Sequence, residues 1–366
     1  MLSSLNTDPS DNPAASDDFI HVARRLTSHL SRPKPAVYWS DFLITYSLGC
    51  AAYYFTAAPG GRLLRASSFV VCVLLWYRTV VFIHEVVHLR HRRMRLFIAG
   101  WNLLAGIPLL TPSFLYSIHL EHHSRTIYGS PEDGEYLPWG MKPPAYIPLF
   151  AVLSLFAPVL AVMRFLFLTP IGWTVPGLRA WVGKRASAMV VNPSYRRRAP
   201  NRLERASWRV QETCTFLWIS FVVIMGSAGL LSWRWPLTAI VVLMLISFVN
   251  AIRTMASHRF LNSGRAMTYV EQVLDSINHP EGGLLTEMWC PLGLRFHALH
   301  HMLPALPYHT LPEAHRILMR ALPPDSSYRR TNSPSLFSTF RALWLTAHEN
   351  RAEVPRSRSP RGKIEI

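Results

Sequence analysis

Residues Ala66–His91 read ASSFVVCVLLWYRTVVFIHEVVHLRH, an apolar run interrupted only by Arg78 and ending in His84-Glu-Val-Val-His88. A helix rises 1.5 Å per residue and needs about 20 apolar residues to cross a bilayer. The stretch therefore reads as a transmembrane span, near 66–84, that delivers two histidines at its exit. His84 and His88 stand at i and i+4, on one helical face, and His91 at i+7 extends that face. Arg78, inside the run, is read as snorkelling toward an interface or pairing with a buried acid.

Three more runs have the length and low charge of spans: 42–61, 213–233 and 235–253, the last two joined by the short turn Trp233-Arg-Trp-Pro236. Two others, 96–118 and 143–168, are apolar but contain Gly100, Gly106, Pro108 and Pro112, or Pro148 and Pro158. Basic residues decide how to treat them. The leader to Asp41 carries four Lys/Arg, the stretch Glu85–Glu212 sixteen, and the chain beyond Ile252 fourteen, against two in the first turn and one in the second. Four spans put all three basic regions on the cytoplasmic side, as the positive-inside rule requires. The broken runs are then interfacial or re-entrant helices on that same face.

Charged residues make up 16% of the chain, well below the soluble norm of about 25%. The net charge of +17 flanks apolar segments, which points to anionic lipid and membrane orientation and away from nucleic acid. Cys50, Cys72, Cys214 and Cys290 are scattered without a CxxC pair, so neither a disulfide framework nor a cysteine zinc site is expected. The expected organisation is a polar, disordered leader over 1–35, a membrane domain over 36–325, and a C-terminal cytosolic segment over 326–366 with a basic disordered tail.

Eight of the 16 histidines fall in three clusters: His84/His88, His119-Leu-Glu-His122-His123 and His297-Ala-Leu-His300-His301. The spacings i, i+3 and i+4 place imidazoles side by side on a helix. Imidazole suits iron, zinc, copper and nickel, and eight of them exceed what one tetrahedral ion can use. Two metal ions sharing the set is the economical reading. His21, His29 and His348 lie apart and are read as exposed or structural.

This pattern resembles the membrane fatty acid desaturase and hydroxylase superfamily, which carries HxxxH, HxxHH and HxxHH boxes. The resemblance covers His84 to Ala321 and includes the Pro-punctuated segment His301-Met-Leu-Pro304-Ala-Leu-Pro307-Tyr308-His309. It implies an all-α integral membrane fold, four transmembrane helices under a cytosolic helical cap that carries the boxes. It also implies two iron ions in a non-haem di-iron centre held by His84, His88, His119, His122, His123, His297, His300 and His301. The segment Asn250 to His258 resembles the Asn and His that close this centre in some members, making His258 a ninth ligand and Asn250 a water-mediated contact. Glu85, His91, Asp275 and His309 are expected around the ligands, and Glu121, Asp133, Glu135 and Glu287 could also orient imidazoles. The implied reaction is O2-dependent desaturation of a lipid acyl chain, with hydroxylation of a lipid, carotenoid or alkane as the alternative. Electrons would come from a separate ferredoxin- or cytochrome-type donor. His279-Pro-Glu-Gly-Gly is similar to a cytochrome b5 haem motif but has one residue too many, and is read as a loop. The implied location is a multi-pass protein of a bacterial inner membrane with its catalytic face in the cytoplasm.

Two other classes compete. His84-Glu85-Val-Val-His88 is also an HExxH motif, in which the glutamate is the base of a zinc protease, but that leaves both HxxHH boxes unexplained. A histidine-rich metal transporter would place its ionisable groups within the spans, and here the boxes stand at span ends or outside them.

Overall fold

The computed structural model describes residues 13–353 apart from 263 and 266, and it is helical throughout. Among the described residues, isolated bridge pairs such as His258–Ser276 take the place of strands. The helices in chain order are α1 (Pro13–Thr27), α2 (Pro35–Ala57), α3 (Arg62–His88), α4 (Arg95–Trp101), α5 (His119–His122), α6 (Tyr146–Ser154), α7 (Ala157–Met163), α8 (Thr169–Thr174) and α9 (Pro176–Arg185). They continue with α10 (Arg202–Ser227), α11 (Arg234–Met255), α12 (Tyr269–Asp275), α13 (Gly283–Trp289), α14 (His297–Met302), α15 (Leu311–Ala321) and α16 (Leu336–Glu353).

Among the described residues, four helices are long and apolar enough to cross a membrane: α3, the Ala157–Thr174 stretch formed by α7 and α8, α10 and α11. Three of them coincide with spans expected from sequence. The fourth expected span, 42–61, falls in α2, which ends at Ala57 before Pro59-Gly60-Gly61 and is less apolar because Tyr, Thr and Ser recur along it. α2 packs along α3 as a hairpin. Gly49 makes that approach possible, since a Cβ there would meet Trp76 at 2.5 Å.

The run 143–168 contributes to the fourth apolar stretch, and its flanks are tied to the same part of the cap. Gly140 N–H donates to the Phe260 carbonyl at 3.1 Å, and Val191 N–H to the Gly134 carbonyl at 2.8 Å. Between them, residues Arg164–Leu168 form a π-turn. Its Arg164 is buried, with hydrogen bonds to the Ala186 carbonyl, Thr169, Ser187 and Glu212. Arg179 also reaches Glu212 at 2.6 Å, so the buried charges are matched by several partners. A second π-turn covers Asn102–Gly106. Asn102 accepts the Ser113 N–H at 2.9 Å and so pins the chain returning toward the second box. Trp101 anchors the same region by donating to the Thr79 carbonyl at 3.0 Å.

The leader is not disordered throughout. α1 buries Phe19, Ile20 and Ala23 in a cluster with Leu311, Ala314 and Leu318 of α15. The Pro/Ser/Asp-rich start of the leader masked this apolar stripe, which begins only at Phe19. Residues 1–12 and 354–366, including most of the basic tail, lie outside the described residues. α16 buries Leu343 and Ala347 with Trp139 and Phe260.

Candidate metal centre

The last turn of α3 aims His84 and His88 inward, and α5 and α14 bring the other two boxes to the same place. His258, one turn past α11, arrives through its bridge to Ser276. The nine histidines expected as ligands therefore converge. Eight form two groups whose ligand atoms lie within 4.8 Å of one another: His84, His88, His119 and His300, and His122, His258, His297 and His301. His123 joins them from between, its Nε2 3.1 Å from the Nε2 atoms of both His119 and His300. The two HxxHH boxes are used reciprocally. His119 and His123 face the first group while His122 faces the second; His297 and His301 face the second while His300 faces the first.

A fixed proton pattern leaves lone pairs facing one another. His119 Nδ1–H donates to Glu135 at 3.0 Å and His122 Nδ1–H to Asp133 at 2.8 Å. His258 Nδ1–H donates to the Tyr128 oxygen at 2.8 Å, while the Tyr128 hydroxyl donates to Asp275 at 2.8 Å. Their Nε2 atoms are thereby unprotonated. Yet His122 and His258 bring Nε2 atoms within 3.3 Å. Such contacts between lone pairs are repulsive unless a cation is shared. Two nitrogens each about 2.0–2.1 Å from one metal stand about 3.0–3.4 Å apart, depending on the angle at the ion. The donor set fits two metal ions of the kind imidazole prefers.

Electrostatics agree. Burial first, and the surrounding imidazoles second, push His123, His297, His300 and His301 well below the ordinary imidazole range. His119 and His258 are depressed in the same way. His122 differs: burial lowers it, but the adjoining Asp133 carboxylate raises it past its usual value. Neutral imidazoles are the ligand form.

The residues expected around the ligands divide. Asp275 takes that position, its Oδ2 3.6 Å from His258 Nδ1 and bridged through Tyr128. Glu85 does not hydrogen-bond an imidazole: its nearest oxygen is 3.8 Å from His84 Nδ1, and its carboxylate accepts from the Tyr38 hydroxyl and the Tyr308 N–H. His91 is exposed, because α3 stops at His88 and the i+7 face does not continue; its Nδ1 accepts from Arg93 N–H. His309 packs edge-on to Tyr38 and belongs to neither group. Asn250 Oδ1 accepts from Arg253 at 3.2 Å. Glu121 is bound by Tyr195 and Arg198, away from the imidazoles. Sequence reasoning missed Tyr128, which links His258 to Asp275, and Tyr116, whose hydroxyl lies 3.3 Å from His119 Nδ1 and donates to Glu135 at 3.1 Å, since a lone tyrosine carries no spacing signal.

The sequence model for the fatty acid desaturase family matches residues 61–332. The chain belongs to the fatty acid desaturase family. As a member of that family it is an O2-dependent oxidoreductase of the desaturase/hydroxylase class, and the family uses iron. This desaturase-family chain is also similar to a ceramide hydroxylase of Caulobacter vibrioides (strain NA1000 / CB15N), 37% identical over 334 residues, which cover 91% of this chain and 95% of that protein.

Proposed function

We propose that the protein is a di-iron hydroxylase of a membrane lipid, with a ceramide-type N-acyl lipid as its substrate class. The observation that carries this is the likeness, over nearly the full length of both chains, to a protein named for ceramide hydroxylation. One iron would be held by His84, His88, His119 and His300 with His123 beside them, the other by His122, His258, His297 and His301. Bound iron supplies O2-dependent attack on an unactivated C–H bond, which no amino-acid side chain can perform. The chain's own residues then hold and orient. Asp133, Glu135 and the Tyr128–Asp275 pair keep the ligand protons on Nδ1, and the burial of the imidazoles excludes water from the reacting atoms. Electrons arrive from a separate ferredoxin- or cytochrome-type protein. In this reading the chain lies in a bacterial inner membrane with the boxes on the cytoplasmic side, which the distribution of basic flanks supports.

Desaturation of an acyl chain is the second reading, favoured by the family match itself. The protease reading loses its base, since Glu85 is engaged by Tyr38 and Tyr308. Expression in a host that makes ceramides, with mass spectrometry of total lipids, tests the proposal. Gain of one oxygen in the ceramide pool is expected. Loss of two hydrogens would favour desaturation, and an unchanged lipid profile with an active donor present would sink both.

A further inference from the structure

Outside both histidine groups, Asp41, Arg78 and Glu287 form an ion cluster where α2, α3 and α13 meet. Arg78 donates from Nη2 and Nε to the two Asp41 oxygens at 2.6 and 3.3 Å, and its Nη1 lies 3.8 Å from Glu287. Glu287 also faces Arg295 Nε at 3.5 Å, and Asp41 accepts the Tyr308 hydroxyl at 2.8 Å. Unlike the buried Arg164–Glu212 pair, this cluster is open, with side-chain exposures of 21% for Asp41, 28% for Arg78 and 34% for Glu287. Apolar side chains stand beside it: Leu43 and Ile44 follow Asp41 on α2, and Leu284, Leu285 and Met288 of α13 are all exposed. Ionisable groups beside an apolar belt are costly and are kept where they serve recognition or transport.

Depth and charge say what the cluster fits. Asp41 immediately precedes Phe42, where the uncharged run begins, so it stands at the boundary between apolar belt and cap. Tyr38 lies three residues earlier, about 4.5 Å of helical rise, and its hydroxyl meets Glu85 beside His84. Arg78 stands six residues before His84 on α3, about 9 Å of helical rise, so the cluster lies on the bilayer side of the first histidine group and within two helical turns of it. Two carboxylates and two guanidiniums alternate, giving no net charge. A phosphate headgroup would meet the Asp41 and Glu287 carboxylates. Hydroxyl and amide groups can donate to those oxygens and accept from Arg78.

We infer that Asp41, Arg78 and Glu287 are the headgroup subsite for a neutral, hydroxyl- and amide-bearing lipid, with the α13 leucines at its bilayer edge. The inference rests on the lipid-hydroxylase reading and adds a consequence. A headgroup held at this depth puts the reacting carbon near the polar end of the lipid and not in mid-chain.

The test uses the iron-loaded full chain in detergent and two fluorescent probes with the same short acyl chain, a neutral N-acyl aminodiol and a phosphatidic acid. The neutral probe is expected to bind more tightly. Glu287→Gln and Asp41→Asn should each weaken it about tenfold, the loss of one charge-assisted hydrogen bond, with iron content and phosphatidic acid binding not reduced. Arg78→Lys keeps the charge but loses the forked geometry and should weaken the neutral probe as well. Glu287 is one-third exposed, so Glu287→Gln decides the matter even if a change at Asp41 disturbs folding. Equal affinity for the two probes, or unaltered binding in Glu287→Gln with iron intact, overturns the subsite, as does a product oxidised in mid-chain. Binding needs no turnover: a protein that holds the neutral probe and never oxidises it refutes the hydroxylase reading while the subsite stands.

Discussion

The imidazole of His123 is stacked on that of His301, ring centroids 4.2 Å apart and planes 23° apart, while its Nε2 points at His119 and His300. His123 thus offers its nitrogen to the first group and its ring face to a ligand of the second. His123→Ala should retain about half the iron of the unsubstituted protein, because the first group loses the fifth imidazole that contacts His119 and His300 while the second loses no ligand nitrogen. Elemental analysis of the purified variant measures this. Full iron retention would remove His123 from the centre.

Asp133 is fully buried, accepts N–H groups from Gly129 and Glu135, and holds the His122 proton on Nδ1. Asp133→Asn keeps the shape and loses the charge. Orienting carboxylates of this kind are worth about 10–100-fold in metal affinity. A chelator titration should show a loss in that range from the second group.

Acid should release the metals before it unfolds the spans. His119, His123, His258, His297, His300 and His301 are all depressed in the fold, burial being the first cause. Their unfolded value is about 6.5, so below that the unfolded chain binds more protons than the folded one. The stability tied to these groups is complete above about pH 6.5 and is lost as pH falls toward the depressed folded values. Protons also compete directly with the ions for the ring nitrogens. Iron content and melting temperature measured across this range should fall together, and a flat profile would contradict the neutral ligand set.

Tyr38 and Glu85 lock α2 to the end of α3. Tyr38→Phe leaves the buried carboxylate short of a donor and should cost about 1–3 kcal/mol of stability, with iron still bound. Thermal unfolding of the two proteins compares them. Loss of iron as the primary effect would mean that Glu85 holds a ligand after all.

Much of the centre was legible because helical periodicity is local. The i, i+4 offsets of His84/His88, His119/His123 and His297/His301 already pair imidazoles that end on the same side of the centre. The partition between the two groups was not legible, since it depends on how α5 and α14 approach each other. His91 shows the limit of extrapolating a face: the i+7 argument holds only while the helix continues, and α3 ends at His88. The helix hidden in the leader shows another, because α1 is stabilised by α15, almost three hundred residues away in sequence, and not by its own composition.

His88 and His300, whose Nε2 atoms stand 3.2 Å apart, are separated by 212 positions in the chain. Each ion would therefore act as a clasp between the first-made and the last-made parts of the membrane domain. During synthesis, a chain that has emerged only as far as α11 carries the first two boxes but neither His258 nor the third, and holds no complete ligand group. Metal loading is then a final event of biogenesis, after every span has been inserted. Chains starved of iron should accumulate as inserted, protease-sensitive precursors whose cap can still be closed by adding the ion.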